Sequence, residues 1–265
     1  MPDSDLPYTL TPDTVNQIIA WARQAGQIAL RYFNNVTPQT KPDQTLLTPA
    51  DLEIESFLAE RFRATFPTHH LIGEEGTRDH TGQPSPYLWA IDPLDGTTTF
   101  VQGLPGWGIS IGLLYQGQPS FGLFYMPLLD DLTYTSGDDE VYCNERSQKG
   151  SIKAEWGQKG FLAVSAGAHQ DFQLDVPRIQ TMGSAGANLI YTACGSASGA
   201  LIPKARLWDL VAGAAILARA GGDVRYLSGK QIDYLQLLDG NLAPEPIIAG
   251  HPRLLLQLQQ AIIPK

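Results

Sequence analysis

The chain has 265 residues, 43% of them hydrophobic, which is enough for a large core in one domain or in two closely packed halves. It carries 18 Lys and Arg against 27 Asp and Glu, and the resulting net charge of −9 argues against nucleic acid or an anionic membrane as the main partner. No apolar run is long enough to span a bilayer, and residues 1–10 are polar and acidic, unlike a signal peptide. We therefore expect a cytoplasmic protein in which Cys143 and Cys194 are ordinary thiols rather than a disulfide framework.

Two predicted helices open the chain, and each begins with a threonine followed by a proline. Thr11 is expected to cap the first helix, whose apolar residues form one stripe. Thr48 is expected to cap the second. Asp51 lies three residues after Thr48, where an acidic side chain completes a capping box and favours the helix dipole.

An acidic loop follows the second helix. Glu74 and Glu75 come directly after Gly73, and taken alone they predict a solvated acidic loop. The preceding His69 and His70 are expected at the surface, because adjacent residues seldom face the same way. Residues 77–86, rich in Gly, Pro and polar side chains, are predicted to form a loop.

The stretch 87–100 contains the most informative pattern in the chain. Residues 87–91 are apolar and β-prone, so they predict a buried strand that leads directly into Asp92 and Asp95. Gly96 permits a tight turn, and Thr97 stands at the expected start of a helix. Carboxylates suit hard cations, and N–H groups at a helix start suit a phosphate. The pattern is typical of metal-assisted phosphoryl transfer.

Two other interpretations of this stretch compete with that one. Asp92 and Asp95 could be turn and cap residues, a frequent role of aspartate. Haloacid dehalogenase phosphatases also end a strand in carboxylates, the first of which is a nucleophile. In those proteins one residue separates the two aspartates, whereas Pro93 and Leu94 separate them here.

The rest of the chain predicts alternating strands and helices. Strands are expected at 106–115 and 120–126, joined by a Gly-Pro turn, and further strands extend the meander. The second half predicts helices at 188–198, 210–220 and 254–263. Asp209, taken alone, would be an N-cap of the middle one. The other predicted strands lie at 132–136, 141–143, 161–165, 224–227 and 247–249.

Three motifs in fixed order carry a resemblance to a known family. They are Gly-Glu-Glu at 73–75, Asp-Pro-Leu-Asp-Gly-Thr-Thr at 92–98, and Trp-Asp-x-x-Ala-Gly at 208–213. In this order they resemble the inositol monophosphatase family over nearly the whole chain. The resemblance implies a layered αβαβα sugar-phosphatase fold, between α/β and α+β. It also implies an N-terminal α+β half at 1–146, which carries Glu74 and the motif at 92–97, and a C-terminal α/β half at 147–265, which carries Asp209.

The resemblance also implies roles for individual residues. Two or three Mg²⁺ ions would be held by side chains of both halves and by one backbone carbonyl, and water would be activated beside them. The implied metal ligands are Glu74, Asp92, Leu94, Asp95 and Asp209; the implied catalytic residues are Glu74, Thr97 and Asp51; the implied substrate contacts are Asp95, Gly96, Thr97, Gly183, Ser184 and Ala185. The family also places a lysine near the metals, at the position of Lys41, which could equally be a solvated loop residue.

The implied reaction is Mg²⁺-dependent hydrolysis of a small phosphorylated metabolite, by a homodimer, with inositol monophosphate as the first expectation. Inositol-specific members carry a glutamate at the position of Ile202, which cannot accept hydrogen bonds from ring hydroxyls. Lys204 and Arg206 could meet a second phosphate, as in fructose 1,6-bisphosphate or phosphoadenosine phosphate, or could be solvated. Histidinol phosphate and a non-catalytic phosphate-binding regulator stay open, although retention of every acidic ligand argues against the regulator.

Overall fold

The computed structural model describes residues 9–79, 84–137, 140–148 and 151–265. Within these ranges, the first part of the chain forms two long helices, one short helix and ten strands. In chain order these are α1 (Pro12–Tyr32), β1 (Gln39–Thr40), β2 (Leu46–Leu47), α2 (Pro49–Thr65), β3 (His70–Gly73), β4 (Arg78–Asp79), β5 (Tyr87–Asp95), α3 (Thr97–Val101), β6 (Gly108–Tyr115), β7 (Gln118–Met126), β8 (Asp131–Thr135), β9 (Val141–Cys143) and β10 (Arg146–Ser147).

The second part of the chain begins its regular structure at Leu162. In chain order it contains β11 (Leu162–Val164), α4 (Ala168–Asp171), β12 (Phe172–Leu174), β13 (Ile179–Gln180), α5 (Ala185–Ala193), β14 (Gly199–Ile202), α6 (Leu207–Arg219), β15 (Asp223–Tyr226), a 3-10 turn (Tyr234–Leu237), β16 (Ile247–Gly250), α7 (Pro252–Ala261) and β17 (Ile262–Pro264).

The helix starts follow from local chemistry. The Thr11 hydroxyl accepts a hydrogen bond from the N–H of Thr14, and the Thr48 hydroxyl accepts one from the N–H of Ala50. The Asp51 carboxylate accepts the N–H of Thr48 at 2.7 Å, so the predicted capping box is confirmed.

Two separate sheets carry most of the chain. The first has eight strands in the order β10-β9-β8-β7-β6-β5-β3-β4, antiparallel except for the parallel β3–β5 pair. The second has five strands in the order β13-β11-β14-β16-β15, in which β11 runs parallel to both of its neighbours. Small two-stranded sheets join β1 with β2 and β12 with β17.

The elements stack in five layers. Helices α1 and α2 cover the outer face of the first sheet, where Trp21, Phe62 and Trp89 share one core cluster. Helices α5 and α6 lie between the two sheets. Along β14, Ala200 belongs to the core shared with α5 and α6, whereas the adjacent Leu201 belongs to the core shared with α7. Since side chains alternate across a strand, the sheet separates these helices, and the αβαβα expectation is confirmed.

Helix α6 packs unusually close to the first sheet. A Cβ added at Gly122 in β7 would lie 2.1 Å from the carbonyl oxygen of Ala212, so only glycine permits this approach. The second half of the chain is therefore pressed directly onto the sheet that carries the aspartates. The boundary at residue 146 stays a prediction, and β10 spans it.

Several predicted boundaries are wrong by a few residues. The helix expected at 188–198 begins at Ala185, because Ser184 caps it, and ends before Gly195, whose φ is 74°. The helix expected at 210–220 begins at Leu207, so Asp209 is its third residue and not its N-cap. The last helix ends at Ala261, and the chain continues as β17.

Two turns and one short strand also differ from expectation. The hairpin between β6 and β7 turns at Gln116 and Gly117, which have φ of 51° and 79°, and Pro119 belongs to β7. Arg78 and Asp79 form a short edge strand inside the predicted loop 77–86. Residues 80–83 of that loop lie outside the described residues.

His69 does not lie free at the surface. Its ring stacks on Tyr87 with the ring centroids 4.2 Å apart, and its Nδ1 accepts a hydrogen bond from the Trp89 indole at 3.0 Å. Burial lowers the pKa of His69 to about 4, so it is neutral in the folded protein at neutral pH.

The expectation of ordinary thiols is wrong as well. The structure joins Cys143, at the end of β9, to Cys194, which follows α5, and their Cα atoms are 7.5 Å apart. That separation exceeds the roughly 4.4–6.8 Å of most disulfides. The two residues are 51 positions apart in the sequence and belong to different layers, so no local pattern could have paired them.

Candidate active site

The two aspartates of the central motif lie within strand β5 rather than after it. Asp92 pairs with Ser110 on β6 and Asp95 pairs with Gly108, so β5 has one extra residue between them. This is a β-bulge, and Pro93 suits it because proline donates no ladder hydrogen bond. The Asp92 carboxylate accepts the N–H of Leu94 at 2.9 Å, which fixes the bulge locally.

Three carboxylates converge beside the bulge. Asp92, Asp95 and Asp209 each offer one oxygen, and these three oxygens lie within 4.8 Å of one another. Burial raises the pKa of Asp92 well above its ordinary value, and the charges of Glu74, Asp95 and Asp209 raise it further. Burial, and then the charges of Asp95 and Glu74, do the same to the pKa of Asp209.

This cluster fits a divalent cation. Like charges that are buried this close repel one another unless a positive charge stands between them. Carboxylate oxygens are also the ligands that Mg²⁺ prefers. The side chain of Asp92 is almost completely buried, because the residue is only 2% exposed, so water alone screens this repulsion poorly.

Asp95 also ties the first sheet to helix α5. Its two oxygens accept the N–H groups of Ala185 at 3.3 Å and Gly186 at 2.6 Å. Burial raises the pKa of Asp95 to about 6, although these hydrogen bonds and one with Ser184 oppose the change. The predicted substrate turn 183–185 therefore lies next to Asp95, but the Ala185 N–H already has a partner.

Gly96 allows that turn to come close. Its φ of 92° is left-handed, and an added Cβ would lie 2.8 Å from the Cβ of Ser184. The hydroxyl of Thr99 donates to the carbonyl of Gly183. The structure thus brings residues 183–185 against the central motif. Their contact with the substrate stays a prediction.

Glu74 lies outside the three-aspartate cluster. Its carboxylate accepts Lys41 Nζ at 2.9 Å, and Glu75 accepts the same ammonium at 2.6 Å. Burial acts to lower the pKa of Lys41, but the two carboxylates outweigh it and raise that pKa. Burial raises the pKa of Glu75 to about 7, and the charge of Glu74 adds to this effect. Lys41 is therefore held by two carboxylates of the acidic loop and is not a solvated loop residue.

Asp51 and Thr97 form a second polar pair. The Thr97 hydroxyl is within hydrogen-bond distance of Asp51 Oδ1 at 3.3 Å and of the Leu94 carbonyl at 3.1 Å. The other oxygen of Asp51 serves the capping box, so one carboxylate acts in both places. Burial raises the pKa of Asp51 to about 6, although bonds from Thr48 oppose this. Thr97 is the first residue of α3, so the predicted helix start is confirmed. Gly96 is the N-cap, and the Thr97 hydroxyl caps no helix.

Sequence reasoning missed Glu55, which shapes the acidic loop. Its buried carboxylate accepts the N–H of Glu75 at 2.7 Å and the N–H of Thr77 at 2.8 Å. A Cβ at Gly73 would lie 2.5 Å from the same carboxylate, so any side chain there would have to displace Glu55. The available signal was its spacing, because Glu55 follows Asp51 by four residues on the buried face of α2.

The three residues considered for substrate choice differ in their surroundings. Ile202 ends β14 and is 1% exposed. The Arg206 guanidinium donates to the Gly240 carbonyl and to Asp43, so it is not a solvated loop residue. Lys204 is exposed.

Among the described residues, the helices are too short or too polar to cross a bilayer.

Comparison with known proteins finds one family match and several relatives. The model of the inositol monophosphatase family matches residues 12–260. Inositol-1-monophosphatase of Bacillus subtilis is 29% identical over 245 residues, which cover 88% of this chain and 89% of that protein. A putative Nus factor SuhB of Neisseria meningitidis is 29% identical over 273 residues, covering 94% of this chain and 97% of that protein.

A solved structure gives the same fold. An IMPase/NADP phosphatase complexed with Mg²⁺ and phosphate superposes with a TM-score of 0.80 at 20% identity, covering 94% of each chain. The family match spans nearly the whole length and agrees with the observed layers. The chain is therefore a member of the inositol monophosphatase family and, as such, a phosphoric monoester hydrolase.

Proposed function

We propose that the chain hydrolyses a small phosphate monoester with the aid of two Mg²⁺ ions. The observation that carries this proposal is the convergence of the buried Asp92 and Asp95 with the half-buried Asp209, whose carboxylate oxygens lie within 4.8 Å of one another. Three carboxylates in this setting are costly to a folded protein unless they bind cations.

The metal-holding residues come from three places in the fold. Asp92 and Asp95 from the β5 bulge and Asp209 from α6 would hold the ions between the sheets, and Glu74 with the Leu94 carbonyl would complete the set. Mg²⁺ bound there would neutralise charge on the phosphoryl group and lower the pKa of a bound water.

Asp51, Thr97 and Glu74 would orient and deprotonate the attacking water. Thr97 donates to Asp51, which is ionised at neutral pH because its pKa is about 6. The Thr97 oxygen can then accept a hydrogen bond from the water, with Glu74 as the base opposite. The N–H groups of Gly96 and Thr97 would hold phosphate oxygens. Water attacks directly, so labelled substrate should leave no acid-stable phosphoprotein after quenching.

Inositol monophosphate is the first substrate to test, because the Bacillus relative carries that activity in its name. Ile202 offers no oxygen to ring hydroxyls, so other small phosphates stay in the set: fructose 1,6-bisphosphate, phosphoadenosine phosphate and histidinol phosphate. The engagement of Arg206 with Asp43 weighs against its meeting a second phosphate. The homodimer and the cytoplasmic location stay predictions, and light scattering on a sizing column checks the first.

Phosphate release from this panel, measured with Mg²⁺ and with EDTA, tests the proposal. We expect Mg²⁺-dependent release from at least one ester. A folded protein that releases phosphate from none, yet binds the esters, would instead favour the non-catalytic phosphate-binding regulator.

A further inference from the structure

The β1–β2 hairpin carries Lys41 to the acidic loop, yet its own attachment is slight. Each strand has two residues, both residues of β1 are exposed, and both residues of β2 are half-buried. The turn is closed by the Lys41 N–H, which donates to the Thr45 carbonyl at 2.8 Å, and by the Gln44 N–H, which donates to the Lys41 carbonyl at 2.9 Å. Such a small hairpin needs contacts outside itself to stay in place.

Asp43 supplies such a contact. Its Oδ1 accepts the N–H of Thr45 at 3.1 Å and the Thr45 hydroxyl at 2.7 Å, which shapes the turn. Its Oδ2 faces the other way and pairs with Arg206 Nη2 at 2.9 Å. One carboxylate therefore joins the hairpin to a residue 163 positions away.

The Arg206 end of this pair is held firmly. Its guanidinium also donates to the Gly240 carbonyl and lies 6.0 Å from the centre of the Trp208 ring. Its backbone N–H donates to Asp209 at 2.6 Å, which orients a carboxylate of the metal cluster. The guanidinium is thus a fixed point beside Asp209, and the hairpin is the part that can move.

We propose that the Asp43–Arg206 pair is a latch, which holds the hairpin closed and keeps Lys41 on Glu74 and Glu75. An ammonium and a metal ion compete for the same Glu74 oxygen. The closed latch therefore favours Lys41 over a cation at Glu74, and opening it makes Glu74 available. This second part rests on the proposed metal function.

Amide hydrogen exchange of the full chain in EDTA tests the latch without any metal. Asp43→Asn and Arg206→Gln should each speed exchange of the hairpin amides, those of Lys41 and Gln44 included, by about two- to fivefold, the scale of a partly exposed ion pair. Asp130→Asn is the matched control, since it removes the same charge from an exposed 2.8 Å pair with Arg23 elsewhere. Hairpin exchange that matches wild type in both latch variants would overturn the proposal.

Calorimetric titration with Mn²⁺ tests the competition. Lys41→Met should bind Mn²⁺ about two- to fivefold more tightly than wild type, Asp43→Asn should shift the affinity in the same direction, and the double variant should gain nothing beyond Lys41→Met. An unchanged affinity in Asp43→Asn, or additive gains in the double variant, would overturn the latch. Absence of Mn²⁺ binding in every protein would instead overturn the proposed metal site, and the exchange result would still distinguish the two failures.

Discussion

The Oδ2 oxygen of Asp95 accepts a hydrogen bond from the backbone N–H of Gly186 at 2.6 Å, across the gap between the first sheet and helix α5. A Cβ added at Gly186 would lie 2.6 Å from that oxygen and 2.2 Å from the ring of Phe124. The start of α5 and the carboxylate of Asp95 therefore fix each other's position, and any side chain at residue 186 must displace one of them.

Gly186→Ala should consequently damage both stability and catalysis. Overpacking of this kind costs about 1–3 kcal/mol of unfolding free energy, and a displaced Asp95 should lower kcat at saturating Mg²⁺ by about tenfold or more. Gly157→Ala is the control, because an added Cβ there meets nothing within 4 Å. Equal melting temperature and turnover in the two variants would show that this contact does not matter.

Thr97 should affect rate far more than stability. Its hydroxyl faces Asp51 and the Leu94 carbonyl and caps no helix, so its loss removes little folding energy. Positioned proton transfer contributes roughly a hundredfold or more to a rate. Thr97→Ala should reduce kcat by that order with little change in metal affinity, whereas Thr97→Ser should keep much of it. A Thr97→Ala protein that melts earlier yet turns over normally would contradict this role.

The metal-free protein should lose stability as the pH rises. Burial raises the folded-state pKa of Asp51 and Asp95 from 3.8 to about 6, so the folded chain binds more protons than the unfolded chain between these values. The contribution of each group to the unfolding free energy is fully present below pH 3.8 and is lost as the pH rises through about 6. The loss amounts to up to about 3 kcal/mol for each group.

Comparison of wild type with Asp95→Asn in EDTA isolates the part of this pH-dependent loss of stability that comes from Asp95. His69 acts in the opposite direction, because its lowered pKa costs stability as the pH falls from 6.5 to about 4, and it cancels in the difference. Urea unfolding at several pH values should show a shallower loss in Asp95→Asn. Parallel curves for the two proteins would contradict the assignment.

The Cys143–Cys194 bond should contribute stability that a reductant removes. In the chain-entropy account, a cross-link between residues 51 positions apart is worth at most about 4 kcal/mol, and the wide Cα separation of this pair reduces that figure. Intact mass under non-reducing conditions should be two hydrogens lower than after reduction, and the reduced protein should melt several degrees earlier. Cys143→Ser should show the lower melting temperature with or without reductant. Two titratable thiols in the untreated protein would contradict the bond.

Local chemistry made part of this molecule predictable. The capping box of Asp51 follows from its three-residue spacing to Thr48, and one short motif supplies both Asp92 and Asp95. Hydrophobic periodicity likewise predicted many of the core strands and helices to within a few residues, because one buried face sets the pattern. It gave no strand at β3 (His70–Gly73) or at β14 (Gly199–Ile202).

Contacts between distant residues were beyond such reasoning. Lys41 gives no sign in its own surroundings that it will meet Glu74, and Asp43 gives none that it will meet Arg206. Asp209 was tied to the aspartates of β5 only through a family resemblance. The β5 bulge was missed because a strand that continues through Asp92 and Pro93 contradicts their ordinary turn preference.

Turnover of Asp92→Asn, measured beside its metal-free unfolding free energy, tests the central claim most directly. If Asp92 holds cations, the variant should lose turnover by several orders of magnitude. It should also be at least about 1 kcal/mol more stable than wild type in EDTA at neutral pH, since one buried charge of the cluster is gone. The matched Asp130→Asn protein should keep wild-type turnover. Wild-type turnover in a folded Asp92→Asn protein would contradict the metal assignment.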